Sequence, residues 1–260
     1  MDLEEFKQIA AKNNNVIPLK NKVTVIDLGV QKELSEDTRK LVEQEWDILS
    51  AQYPNIYNGL TYCVDELELV DNQITLKCSR STYSHYRCGG KHDLGKDVCR
   101  NPYGGIILIT KDGYLVVPLQ GGDSENEGKL QAIGGGMSPE DSVNNTNILD
   151  PEITALRELE EEAGIEIRKS IYKTAPGYLI TDGSKFGMIA WGYSEMSKAE
   201  MDKCLKAFQN ESGNKELDRL LFWNKDNLND LTQYETKQDL GVVQFIRTFH
   251  HVNDLGAQIL

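Results

Sequence analysis

The most informative stretch of the chain reads Asp150-Pro-Glu-Ile-Thr-Ala-Leu-Arg-Glu-Leu-Glu-Glu-Glu-Ala-Gly-Ile165. Asp150 suits a helix N-cap, because its side chain can accept hydrogen bonds from the first free backbone N–H groups. Pro151 suits the first helical position, and Gly164 supplies the residue with positive φ at which helices often end. The stretch therefore predicts an α-helix that begins at Pro151 and ends just before Gly164.

Three carboxylates share one face of this helix, beside its apolar stripe. At about 100° per residue, Glu161 lies about 60° to one side of Glu158 and Glu162 about 40° to the other, whereas Glu160 points away. Such like charges repel by a few tenths of a kcal/mol per pair. A hard cation such as Mg²⁺ would offset the repulsion, and Arg157 is close enough to orient a neighbouring carboxylate. The alternative interpretation is an acidic helix face exposed to solvent.

The order of residues in this helix resembles the second half of the Nudix box, whose pattern ends in Arg-Glu-apolar-x-Glu-Glu-x-Gly-apolar. All seven defined positions are met: Arg157, Glu158, Leu159, Glu161, Glu162, Gly164 and Ile165. The first half asks for Gly, five residues and Glu, which Gly134 and Glu140 supply, with Gly135 as the alternative glycine. Sixteen residues separate Glu140 from Arg157 where the family has seven, and we place the nine extra residues in a loop at 141–149.

The resemblance covers about residues 103–229 and implies the Nudix α/β/α sandwich. It also implies an activity, the hydrolysis of a nucleoside diphosphate linked to another group. By the same resemblance Glu158, Glu161 and Glu162 bind Mg²⁺ or Mn²⁺, together with the backbone carbonyl near Gly135. Arg157, Glu158 and Glu161 are the implied catalytic residues.

Two further positions follow from comparison with the family's pattern. A downstream acid often serves as base or extra metal ligand, and both Glu211 and Glu216 are candidates for it. Gln120 stands at a strand end where many relatives place an Arg, so the usual phosphate-facing charge is missing there. We therefore place Gln120 among the substrate-binding candidates.

The sequence around the helix predicts a mixed α/β domain over residues 102–260. An Asp-Gly turn at 112–113 joins two apolar runs in a hairpin. The remaining elements are strands near 130–133, 170–174, 186–193 and 220–223, a helix over 198–208 and a C-terminal helical stretch to about 250. Together with the helix at Pro151, these elements favour an α/β sandwich.

Residues 1–101 predict a smaller, mixed α+β domain. Its expected elements are a strand over 23–27, a helix over 35–50 and a hairpin of 60–70 with 74–78. The polar segment that follows has no clean hydrophobic period, and we place the domain junction there.

Three short pieces of this N-terminal part resemble the Nudix enzymes that hydrolyse UDP-sugars and carry an extra N-terminal domain: residues 53–59, 81–86 and 101–105. The resemblance implies cleavage of UDP-glucose or UDP-galactose to UMP and a sugar 1-phosphate, with Tyr83 and Tyr86 in contact with the substrate. Aromatic rings suit the face of a uracil or a sugar. The alternative is that these tyrosines only pack the domain junction.

Composition limits the class of partner. The 260 residues include 28 Lys and Arg against 41 Asp and Glu, so the net charge of −13 disfavours a nucleic-acid partner. No apolar run reaches the roughly 18 residues of a membrane-spanning helix, and the acidic start lacks the charge of a secretory signal. We expect a cytoplasmic protein that acts on a small nucleoside diphosphate derivative, with a homodimer left open.

Other functions within the same family stay open at this level. ADP-ribose or dinucleoside polyphosphates are alternative substrates, because no residue after the motif stands at an offset that marks either group. A nucleotide-sensing module without turnover is an alternative of another class. The intact Glu158, Glu161 and Glu162 argue against it, since a sensor does not need all three.

Overall fold

The computed structural model describes residues 3–12, 15–53, 56–122, 124, 126–166, 170–181 and 184–224. The C-terminal helical stretch expected up to about residue 250 lies outside these described residues. In the part of the chain that is described, no helix has the length and apolar character that crossing a bilayer requires. All five cysteines fall within it and are free thiols.

Helices and strands alternate along the described ranges. The helices are α1 (Leu3–Lys12), α2 (Glu36–Gln52), α3 (Tyr83–Gly89), α4 (Pro151–Ala163) and α5 (Lys198–Ser212). The strands are β1 (Val16–Pro18), β2 (Thr24–Gln31), β3 (Leu60–Val70), β4 (Gln73–Thr82), β5 (Asn101–Ile109), β6 (Leu115–Gln120), β7 (Ile133–Gly136), β8 (Ile148–Leu149), β9 (Ile171–Ile180), β10 (Lys185–Ser194) and β11 (Leu217–Trp223). The mixed α/β class expected from the sequence is confirmed.

The strands form a seven-stranded and a four-stranded sheet. The larger sheet has the order β1-β9-β10-β5-β6-β11, and β7 pairs with β5 beside this path. The smaller sheet has the order β3-β4-β2-β8, in which β2 runs parallel to β4 and the other neighbours are antiparallel.

The chain divides into two compact units. The first comprises residues 1–104, 136–154 and 178–188, and the second comprises residues 105–135, 155–177 and 189–260. The sequence-based boundary between residues 101 and 102 stays a prediction.

The first unit is built around the β3–β4 hairpin. Its turn holds Asp71 and Asn72 at φ 49° and 64°, which is the left-handed conformation that a tight hairpin turn requires and that Asp and Asn tolerate. Tyr62 is fully buried in the core beneath the sheet, and its hydroxyl donates to the Asp27 carboxylate at 3.3 Å. Arg80 also binds Asp27, so the buried charge is paired.

The second unit has its core between strands and two helices. Residues of β5, β6 and β11 pack with the apolar stripes of α4 and α5 in one cluster of buried side chains. The predicted β5–β6 hairpin is present, with Leu108 opposite Val116 across the strands. A capping box of Ser197 and Glu200 begins α5, which extends to Ser212, four residues beyond its expected end at 208.

Two expectations for the segment between β6 and α4 are wrong. The strand expected at 130–133 is found instead at Ile133–Gly136, and Leu130 makes only an isolated bridge to Leu119. Pairing with β5 therefore outweighs the weak strand propensity of glycine.

The second error concerns residues 141–149, which are not only a loop. They contain short 3₁₀ turns followed by β8, which pairs antiparallel with β2. Asp141 is fully buried and accepts from the Ser138 backbone N–H at 2.7 Å and from the Thr154 hydroxyl at 2.8 Å. The neighbouring Glu140 is exposed. Asp141, which the sequence analysis did not single out, is therefore the acid whose hydrogen bonds hold this segment in place.

Candidate functional site

The expected helix is present over the predicted residues. The Asp150 carboxylate accepts from the Glu152 backbone N–H at 2.9 Å, and Gly164 follows the helix with φ 64°. Ala155, Leu159 and Ala163 are fully buried, as the apolar stripe predicts. The helix therefore presents its acidic residues along the border of the core of the second unit.

The carboxylates of this helix differ sharply in exposure. The Glu158 side chain is 15% exposed and the Glu162 residue 6%, whereas the Glu161 side chain is 57% exposed. Glu160 lies on the solvent side. Of the three predicted site carboxylates, Glu162 is thus buried, Glu158 is half-buried and Glu161 is exposed.

Arg157 connects the outer carboxylates. Its guanidinium Nη1 donates to Glu158 Oε1 at 2.8 Å and to Glu161 Oε2 at 2.9 Å. The expected charge-assisted hydrogen bond to a neighbouring carboxylate is therefore present. Glu162 is not among these partners of Arg157.

Gly135, on β7, leaves the space that the Glu158 carboxylate fills. A Cβ placed on Gly135 would lie 2.5 Å from the Glu158 carboxyl carbon, far inside van der Waals contact. Strand and helix approach closely here because the glycine has no side chain. This contact places Gly135 beside the acidic cluster.

The buried carboxylates hold their protons unusually tightly. Burial raises the pKa of Glu158 to about 7, against the opposing effect of the Arg157 charge. Burial, together with the charges of Glu216, Glu158 and Glu161, raises the pKa of Glu162 to about 9. The Glu162 Oε2 atom has no hydrogen-bond partner among the described residues. The Arg157 charge opposes the rise at Glu158, but no cation among the described residues opposes the rise at Glu162.

The geometry favours Glu216 over Glu211 as the downstream acid. Glu211 is exposed near the end of α5, whereas Glu216 is partly buried and its charge raises the pKa of both Glu158 and Glu162. Gly121 fixes the backbone there, since its N–H donates to the Glu216 carbonyl at 2.7 Å.

The side chain of Asn214 links this acid to the helix, a contact that the sequence analysis did not predict. Its side-chain Nδ2 donates to the Glu161 backbone carbonyl at 3.3 Å, and its Oδ1 accepts from the Glu216 N–H at 2.8 Å. One amide side chain thus joins the backbones that carry two of the acidic residues. No sequence signal identifies it, because the contact joins residues far apart in the chain.

The remaining predicted residues divide between the two units. Gln120 is buried at the end of β6, where it lies opposite Leu217, the neighbour of Glu216. Tyr83 and Tyr86 belong to the first unit, with their ring centroids 6.2 Å apart. Trp46 packs edge-on against Tyr83, so these rings form an aromatic cluster of their own.

The acidic residues fit a hard divalent cation by their chemistry. Carboxylate oxygens are the ligands that Mg²⁺ prefers, and the unpartnered Glu162 Oε2 and the raised pKa values indicate a site that favours added positive charge. In the described part of the chain, no three His, Cys, Asp or Glu side chains converge closely enough to hold a metal as they stand. Glu161 is instead paired with Arg157. Joint metal binding by Glu158, Glu161 and Glu162 stays a prediction.

Comparison with known proteins gives remote structural likeness. No protein-family model and no curated protein matches this sequence. The chain is similar to the crystal structure of the Nudix hydrolase RenU from M. smegmatis, with 13% identity over 62% of this chain and 88% of that one, at a TM-score of 0.38. It is also similar to a crystal structure from Deinococcus radiodurans, with 13% identity over 73% and 97% of the two chains, at a TM-score of 0.43.

A third similar structure is a NUDIX hydrolase from Nitrosomonas europaea. Its identity is 11% over 59% of this chain and 90% of that one, at a TM-score of 0.35. Two of these three solved structures are named Nudix hydrolases.

Proposed function

We propose that this chain is a Nudix-type pyrophosphohydrolase that uses Mg²⁺ or Mn²⁺ and cleaves the diphosphate of a nucleoside diphosphate linked to another group. One observation carries the proposal. The half-buried Glu158 and the buried Glu162 occur at defined positions of the motif, and the Glu216 charge acts on both. Glu158 also fills the space beside Gly135. A purely structural acidic helix would expose these side chains to water.

The residues that would hold the cation are Glu158, Glu161 and Glu162, with the backbone carbonyl near Gly135. When bound, the cation would neutralise the diphosphate and act as a Lewis acid toward the attacked phosphorus. Its charge would also allow Glu158 and Glu162 to ionise at neutral pH, because a nearby positive charge lowers the pKa of a carboxyl group.

The chain's own residues supply orientation and proton transfer. Arg157 holds Glu158 and Glu161 in place by hydrogen bonds to both. Glu216 is the residue we assign to accept a proton from the attacking water at a carboxylate oxygen, since its backbone is fixed by Asn214 and Gly121. Gln120, at the adjacent strand end, is a neutral contact where a cation is usual in the family.

For the substrate we propose UDP-glucose or UDP-galactose, cleaved to UMP and a sugar 1-phosphate in the cytoplasm. The aromatic cluster of Trp46, Tyr83 and Tyr86 supports this proposal, because flat rings with hydroxyl groups suit uracil and sugar faces. Arg87 lies 6.0 Å from the centre of the Tyr83 ring and adds a positive charge beside it.

A substrate panel tests the proposed activity. The purified protein is incubated with Mg²⁺ and UDP-glucose, UDP-galactose, ADP-ribose or a dinucleoside polyphosphate, and the products are separated by chromatography. We expect UMP from the UDP-sugars, and Glu161→Gln is expected to lose most of the rate because it removes a proposed metal ligand. Glu160→Gln, on the solvent side of the same helix, is the matched control and should keep the wild-type rate.

Each alternative gives a distinct result. Turnover of ADP-ribose or dinucleoside polyphosphates alone would retain the hydrolase and reject the UDP-sugar. Binding without turnover of any compound would indicate the sensing module instead. A wild-type rate in Glu161→Gln would show that the proposed site is wrong.

A second pair of variants separates the two downstream acids. We expect Glu216→Gln to lower kcat by about 100-fold, in the range typical of a lost general base, and Glu211→Gln to leave it unchanged. The physical reason is that Glu216 is partly buried and its charge acts on both Glu158 and Glu162, whereas Glu211 is exposed. Steady-state kinetics on the preferred substrate measure the effect, and the reverse order of the two variants would assign Glu211 instead.

A further inference from the structure

The first unit contains a cavity of about 230 Å³ whose lining is unusually basic for this chain. Three of its nine lining residues are cationic, namely Arg87, Lys91 and Lys185. None of these nine described residues is an Asp or a Glu, although the whole chain has 41 acids against 28 Lys and Arg. The described lining of the cavity is thus basic, whereas the protein as a whole is acidic.

The three cations come from separate parts of the sequence. Arg87 lies in the last turn of α3, Lys91 follows that helix, and Lys185 begins β10 almost a hundred residues later. A cation in the last turn of a helix is favourable by itself, which accounts for Arg87 but not for the arrival of Lys185 from a distant strand. An anion bound in this cavity would be attracted by Arg87 and Lys185 together.

Aromatic contacts hold two of these side chains near the cavity. The Lys185 ammonium lies 5.8 Å from the centre of the Tyr86 ring, which also lines the cavity. Arg87 lies over the neighbouring Tyr83 ring. Lys91 is paired with Glu45 at 2.8 Å, but this carboxylate is not part of the lining and also binds His92 Nε2 at 3.0 Å.

The size of the cavity limits the ligand. Drug-sized ligands occupy pockets of roughly 300–1,000 Å³, so 230 Å³ is too small for a whole nucleotide sugar. It is large enough for one phosphate group and a single small ring. The cationic side chains of the lining can bind the phosphate group, and the Tyr86 ring can contact the apolar face of the small ring.

We propose that this cavity is a binding site for a small phosphate monoester, such as the phosphate ester of one sugar. The phosphate would be held by Arg87 and Lys185, with Lys91 at the margin, and the organic part would contact Tyr86. Tyr86 and Arg87 are shared with the aromatic cluster proposed for the UDP-sugar. Since all of these residues belong to the first unit, the proposal does not depend on the carboxylates of α4 or on the proposed hydrolysis.

Calorimetric titration of the full-length protein with glucose 1-phosphate tests the proposal. EDTA is present throughout, so that no cation bridges the probe to the acidic cluster. We expect saturable binding at one site that weakens as KCl is added, and no binding of glucose, which has the ring but no phosphate. Binding of glucose with equal affinity, or no saturation by glucose 1-phosphate, would overturn the proposal.

Variants locate the binding. Lys185→Gln and Arg87→Gln should each weaken glucose 1-phosphate binding at least about tenfold, as expected for a lost charge-assisted hydrogen bond. Lys203→Gln replaces an exposed lysine of α5 and should bind like the wild type. Lys185 is itself exposed, so this variant is expected to fold even if Arg87→Gln does not. Unchanged affinity in folded Lys185→Gln would place the ligand elsewhere.

Discussion

Glu162→Gln is expected to lose most of the hydrolytic rate and, at the same time, to remove the fall in stability of the metal-free protein between pH 7 and 9. The loss of activity should be on the order of 100-fold or more, because a proposed ligand of the cation becomes neutral. The effect on stability follows from the buried carboxyl group, whose pKa is raised from 4.5 to about 9.

The sign of the pH effect follows from proton binding. Between pH 4.5 and about 9 the folded state keeps a proton on Glu162 that the unfolded chain loses, so stability falls as the pH rises. The slope is at most about 1.4 kcal/mol per pH unit for one group. Glu158 adds to it only up to about pH 7, where its own pKa lies. The interval from pH 7 to 9 therefore reports Glu162.

Thermal unfolding in EDTA at pH 7, 8 and 9 measures this effect. The wild type and Glu160→Gln should lose stability across the interval, whereas Glu162→Gln should not. Added Mg²⁺ should stabilise the wild type more at pH 8 than at pH 6, because the cation competes with the proton. A flat wild-type profile, or equal stabilisation of Glu162→Gln by Mg²⁺, would contradict a buried cation-binding carboxylate.

Gly135→Ala is expected to have the second large effect, through the position of Glu158. The added methyl group would lie 2.5 Å from the Glu158 carboxyl carbon, so the carboxylate must move by about an ångström to relieve the contact. A misplacement of this size can cost about 100-fold in rate. We therefore expect kcat/KM to fall by about that factor, with a weaker apparent affinity for Mg²⁺.

Gly136→Ala is the matched control on the same strand. A Cβ at Gly136 meets nothing within 4 Å, so this variant carries the same change in backbone entropy without the contact. Equal activity of the two variants, with both folded by circular dichroism, would show that the space at Gly135 does not position Glu158.

The bounds of α4 and the positions of its carboxylates could be predicted from residues that are close in sequence. Asp150, Pro151 and Gly164 define its bounds, and the 3.6-residue period places Glu158, Glu161 and Glu162 on one side. These signals are local, since capping and helical periodicity depend on a few adjacent residues. The β5–β6 hairpin was predicted for the same reason, from its Asp-Gly turn.

The predictions for β7 and β8 were wrong because pairing between distant strands outweighs the local conformational preference of their residues. The glycine-rich β7 is a strand because it pairs with β5, and β8 forms because β2 lies beside it. Neither partner is near in sequence, and strand propensity depends strongly on such context. The sequence therefore predicted a loop at 141–149, where the fold has the edge strand β8.

The chain's sequence alone determined which carboxylates line one face of α4 and that they follow the Nudix pattern. Only the tertiary structure decided how these carboxylates differ in burial and in pKa, because both depend on the residues that pack against each side chain. It buried Glu162 and left Glu161 exposed, brought Glu216 close enough to raise the pKa of both Glu158 and Glu162, and joined Asn214 to the helix. Electrostatic coupling and close packing act through space, and no local pattern records those distances.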